Sequence, residues 1–169
     1  SRGELLEVIS ALAASAPADR AAGARRAGAS GHPLFLDPLR ALLKAKEPEV
    51  RAAAAEALGQ LGVPATTADL NLLLSALDTA TKDPVDQVAL AAVQASARYP
   101  FPSVRERLMA LAQDLGAPPG VREAAQLGLA TTRPEARARL EAWLEMSGKE
   151  AQSMSLRAPR IDRLRTTDP

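Results

Sequence analysis

Three arginines recur at one spacing: Arg20, Arg51 and Arg122 each stand three residues after a proline, at Pro17, Pro48 and Pro119. A guanidinium offers donors in a planar fork that fits a carboxylate or phosphate two bonds at a time, so a row of them could grip an acidic peptide or a phosphate. The same row could instead pair with Glu47, Glu49 and Asp83 in the neighbouring turns, which would bind the protein to itself. A second group is richer in amides: Gln87, Gln94 and Gln126, with Arg98, remain on helix faces once apolar positions are assigned. Weakly charged amide surface suits hydrogen bonding to an extended segment or a partner helix. A third group closes the chain, where Arg157, Arg160, Arg163 and Arg165 are spaced around Leu156, Ile161 and Leu164. This basic tail could dock on another protein, fold back over the end of the domain, or link it to a further one.

Other chemistries find no residues. The chain has no cysteine and one histidine, which excludes disulfides, thiolate metal sites and histidine-rich metal sites. His32 precedes Pro33 and reads as a loop residue. No glycine-rich phosphate loop, Ser/His/Asp arrangement or carboxylate pair in raised-pKa surroundings can be assembled, so no enzyme, metal or cofactor is expected. Trp143 reads as a core anchor beside Leu140 and Leu144, and Arg137 reaches Glu141 one helical turn on. With 21 basic and 20 acidic residues the net charge is +1, too small for a global field that attracts nucleic acid. No apolar run is long enough to span a membrane and no signal-peptide pattern opens the chain. A cytoplasmic location without membrane insertion is expected, and Ser1 in place of Met suggests a fragment of a larger protein.

The elements that carry these groups follow from composition and period. Of 169 residues, 37 are alanine and four are aromatic, so helices with small side chains must pack closely. About nine helices are expected. Leu5, Leu6, Ile9 and Leu12 mark the first, and Pro17 opens a second that Gly23 and Gly28 weaken. Residues 33–46 and 48–61 form the clearest pair, joined by Glu47 alone, which forces them antiparallel. Pro48 takes the first helical position and Gly62 supplies the left-handed stop. A third pair spans residues 66–98, with Thr66 and Asp69 at its start and Asp83-Pro84 opening its second helix. Ser103 and Glu106 spell a capping box for the fourth pair, whose second helix starts at Pro118-Pro119. Thr132 and Glu135 spell another for a last helix ending before Gly148. The prolines 17, 48, 84 and 119 lie 31, 36 and 35 residues apart, a period that means stacked helical hairpins.

Glu47-Pro-Glu-Val-Arg-Ala-Ala-Ala-Ala-Glu-Ala-Leu-Gly59 resembles the second helix of a HEAT repeat. The resemblance covers residues 33–146 well and residues 3–31 poorly, departing at Gln87, where the pattern wants arginine, and at Asp19, where it wants valine. It implies an all-α, right-handed α-solenoid of about four hairpins plus a terminal capping helix in residues 1–148, followed by the basic tail 149–169. It also implies that the second helices line the concave side. The expected function is a noncatalytic protein-protein interaction adaptor or scaffold, using that side or the tail, in a bacterial-type protein or assembly. The alternatives are a nucleic-acid-binding domain of the DNA-repair type, which near-zero net charge opposes, and a chromophore-lyase-like repeat protein. Oligomeric state stays open.

Overall fold

A computed structural model of the chain describes residues 2–99, 101–131 and 146. Within them run eight α-helices: α1 (Arg2–Leu12), α2 (Pro17–Ser30), α3 (Leu36–Leu42), α4 (Pro48–Gln60), α5 (Thr67–Ala80), α6 (Asp86–Ser96), α7 (Pro102–Gln113) and α8 (Pro119–Thr131). No strand occurs among the described residues. The last helix expected from Thr132, with Trp143, and the tail with Arg157, Arg160 and Arg163 lie outside the described residues.

The helices pair as four hairpins, α1/α2 to α7/α8, and stack into a helical solenoid. Prolines open α2, α4, α7 and α8 at their first positions, where the missing N–H leaves no bond unmade. Thr66 caps α5 by accepting from the Asp69 N–H at 3.1 Å. Ser103 does not cap α7: Phe101 takes that place and Pro102 sits between them. The segment expected as one helix from Pro33 breaks into a 3-10 turn over Pro33–Phe35 and then α3. There Phe35 is fully buried and the His32 ring accepts from the Leu34 N–H. Gly31 and Gly62, at φ 63° and 86°, end the second helices of the first two hairpins in the left-handed region, which costs glycine little.

Close helix contact in the second-helix layer depends on residues without side chains. A Cβ placed on Gly28 would lie 2.5 Å from Ala57 Cα, one on Gly59 2.8 Å from Ala95 Cα, and one on Gly128 2.8 Å from Ala97 Cβ. The glycines that weaken α2 as an isolated helix are therefore what lets it seat against its neighbours. Gly23 does the same against Ala11 and Leu12 of α1. In the first-helix layer larger side chains hold the helices apart, and clefts of about 490 Å³ between α5 and α7 and 470 Å³ between α3 and α5 open there. The second helices thus form the more tightly packed of the two layers.

The core runs continuously through the stack. Leu39, Leu58, Leu73, Leu77, Val88 and Val93 are fully buried, the leucines each contributing roughly 2 kcal/mol. Tyr99 is buried too, and its hydroxyl donates to the carbonyls of Leu58 and Gly62, tying the third hairpin to the end of α4. The stripe expected on α1 is only partly used: Val8 and Leu12 are buried, whereas Leu6 and Ile9 are exposed. Among the described residues, α1 packs chiefly on α2, so one narrow face suffices. Leu115 lies beyond the end of α7 and is 86% exposed.

Candidate functional site

Local hydrogen bonding fixes which residues are equivalent between hairpins. The bond that closes the first turn of each second helix runs from Arg20 N–H to Ala16, Arg51 to Glu47, Ala89 to Val85 and Arg122 to Pro118. Val50, Val88 and Val121, one residue earlier, are all buried. The fourth member of the arginine row is therefore Ala89, and Gln87 does not stand in that row. The sequence pattern misplaces it because α6 starts at Asp86 with Val85 as its cap. Pro84 stays outside the helix, unlike Pro17, Pro48 and Pro119. Gln87 is an exposed first-turn residue.

The arginines that remain in the row point between hairpins. Arg51 donates from Nε and Nη2 to the two Asp83 oxygens at 2.7 and 3.0 Å. Its Nη1 donates to the carbonyls of Ala45 and Lys46, each at 2.9 Å. The two side chains are only 13% and 10% exposed. Asp83 also accepts from the Val85 N–H at 2.9 Å. The Arg51 hydrogen bonds hold the Asp83 carboxyl below its ordinary value against the opposing effect of burial, and the Val85 N–H adds to this. Asp83 raises Arg51 in turn, again against burial. Arg20 meets Glu47 at 3.0 Å, and Glu47 is lowered first by its own backbone N–H and, less, by Arg20. Four of the five Arg51 N–H donors are thus used within the protein. Arg122 is half-buried and forms no ion pair with another described residue.

Carried through the helices, the same register defines a stripe on the exposed face of the second-helix layer. Arg25, Glu56, Gln94 and Leu127 stand at equivalent points of α2, α4, α6 and α8, and all four are exposed. Glu49 and Gln87 lie a turn or two before them, Gln60 and Arg98 a turn after, all exposed. Beneath this polar ridge runs an alanine row, in which Ala53 and Ala91 are buried, Ala124 half-buried and Ala22 exposed. Gln87, Gln94 and Arg98 are thus brought together, as their spacing along one helix face implies. Gln126 is not part of the stripe: its equivalents Ala24, Ala55 and Val93 are fully buried facing the next hairpin, so Gln126 lies on the side of α8 away from α6.

Sequence reasoning missed Arg25 and Glu56, which pair at 3.1 Å across the second-helix layer while staying about half exposed. Their separation of 31 residues equals the distance from Pro17 to Pro48, and that match was the available signal. Outside this face, Asp78 draws Lys82 and Arg107 to 3.7 and 3.9 Å at the rim of the α5/α7 cleft, whose floor is Leu74, Val104, Leu108 and Leu111. Among the described residues no group of three acidic or histidine side chains is placed to hold a metal. No helix among them is long and apolar enough to cross a membrane.

A family model described as HEAT repeats matches residues 5–92, more than half of the chain. No curated protein matches the sequence significantly.

Proposed function

Because the chain belongs to the HEAT-repeat family, whose members generally serve as noncatalytic scaffolds for protein interactions, we propose that it is an adaptor that receives a protein segment along its concave face. The observation that carries this reading is the exposed stripe Arg25, Glu49, Glu56, Gln60, Gln87, Gln94 and Arg98. Carboxamides can donate and accept at once. A helix or extended strand with mixed polar side chains fits such a surface. In the stripe Glu49 and Glu56 balance Arg25 and Arg98, so it offers no net positive field for a polyanion, which opposes the nucleic-acid alternative. We read the Arg51 part of the arginine row as structural, since four of its five N–H donors are used within the protein.

A photo-crosslinking amino acid at position 94, compared with one at the exposed outer residue Met109, tests the reading. Partner adducts should form from position 94, and Gln94→Trp, which fills the stripe, should abolish them. Equal adducts from both positions, or complexes that tolerate Gln94→Trp, would refute it.

A further inference from the structure

Two clefts open in the first-helix layer, and their rims differ in what is already bonded. At the α3/α5 cleft both acids are taken, Asp37 by Arg40 at 2.8 Å and Asp83 by Arg51. At the α5/α7 cleft the charges are close but unjoined. Asp78 stands 3.7 Å from Lys82 and 3.9 Å from Arg107, beyond hydrogen-bond reach, and its carboxylate accepts no hydrogen bond from another described residue. The Asp78 side chain is 33% exposed and those of Lys82 and Arg107 more so, so all three are open to an incoming group.

The cavity between these groups, about 490 Å³, falls in the range of small-molecule sites. Val104 and Leu108 are buried in its wall, and Leu74 and Leu111 are half-buried there. Ser96 lines it too, but its hydroxyl donates to the Ala92 carbonyl at 2.8 Å, so an apolar group can enter without stranding a donor. Asp114, also on the rim, already accepts from the Gly116 N–H at 2.9 Å.

An unjoined acid, two unjoined cations and an apolar wall select a ligand that carries both charges. A fatty acid would set its carboxylate against Asp78, and an aliphatic amine would meet Lys82 and Arg107. A zwitterion satisfies both sides, since its ammonium gives Asp78 the donors it lacks and its carboxylate takes those of Arg107 and Lys82. We propose that the α5/α7 cleft binds a free α-amino acid with a bulky apolar side chain, which lies against Leu74, Val104, Leu108 and Leu111 while its two charges bridge Asp78 and the cations. This site belongs to the first-helix layer and is separate from the stripe on the second helices. A bound amino acid joins α5 of the third hairpin to α7 of the fourth.

Amide NMR shifts of the full chain titrated with L-phenylalanine test this. Saturable shifts should concentrate in α5 and α7. Phenylalaninamide, which lacks the carboxylate, and hydrocinnamate, which lacks the ammonium, should each bind at least about tenfold more weakly, the loss expected for one charge-assisted hydrogen bond. Asp78→Asn should weaken phenylalanine by roughly tenfold without weakening hydrocinnamate, and Arg107→Gln should weaken phenylalanine while sparing phenylalaninamide. The comparison of three ligands on the parent chain decides the matter even where a variant fails to fold. Shifts that do not saturate or that spread over all the helices overturn the proposal, as do three ligands that bind alike or an Asp78→Asn chain that still binds phenylalanine like the parent.

Discussion

Replacing Asp83 by Asn keeps the shape of the side chain and removes the charge that Arg51 grips. Exposed ion pairs contribute at most about 1 kcal/mol, whereas deleting one partner of a buried pair costs roughly 3–5 kcal/mol. With side chains 13% and 10% exposed the pair lies near the buried limit. Arg51 nevertheless keeps its bonds to Ala45 and Lys46, and an Asn oxygen can still accept from Val85. The expected loss is therefore about 2–3 kcal/mol, which for a chain of this size lowers Tm by roughly 5–10 °C. The sign of the pH dependence follows from the lowered Asp83 carboxyl. The pair stabilises the fold fully above the unfolded carboxyl value of about 3.9, and its contribution disappears as pH falls through the depressed folded value. Urea unfolding followed by circular dichroism should show the full gap between parent and Asp83→Asn at neutral pH, and a gap that narrows only once pH falls below the unfolded carboxyl value of about 3.9. A neutral-pH difference under about 0.5 kcal/mol, the range of ordinary surface substitutions, would refute the assignment of this clasp as a structural joint.

Two further perturbations probe how the hairpins are joined. Gly59→Ala should destabilise by roughly 1–3 kcal/mol because its Cβ would lie 2.8 Å from Ala95 Cα, whereas Gly120→Ala, with open space around it, should be neutral or stabilising by up to about 1 kcal/mol. Thermal unfolding of both variants checks this, and equal effects would contradict the close-approach argument. Tyr99→Phe should cost about 1–2 kcal/mol in urea unfolding, since it leaves the Leu58 and Gly62 carbonyls without their buried donor. Hydrogen exchange should then accelerate at the end of α4, and protection there equal to the parent's would argue against the tie.

Much of the hairpin architecture was legible because its signals are local. Pro48 opens α4 and Gly62 closes its turn for reasons contained in those residues. Arg20 and Arg51 meet carboxylates in the nearest turns, as proximity implies. The third hairpin was misread for an equally physical reason. Pro84 has the residue type of a helix opener, but Asp83 is occupied by Arg51 and by the Val85 N–H, and α6 begins two residues later. That shift moves Gln87 out of the arginine row and puts Ala89 into it. The second helix was underrated because Gly28 is costly to an isolated helix and favourable only where Ala57 must come close.

By itself the sequence determined that the chain is helical, that its helices pair in repeats of one family, and which arginine forks have acids within reach. Those properties depend on intrinsic propensity and on groups a few residues, or one repeat, apart. Tertiary structure alone decided which surface is open to a partner. Ala53 is buried while Glu56 on the same helix is exposed, and Gln126 lies on the side of α8 away from α6 while Gln94 stands in the exposed stripe. These outcomes depend on the angle at which each helix meets the next, set by Gly–Ala contacts between residues about 30 to 40 positions apart. No local pattern contains that angle, because it exists only when the neighbouring hairpin is in place.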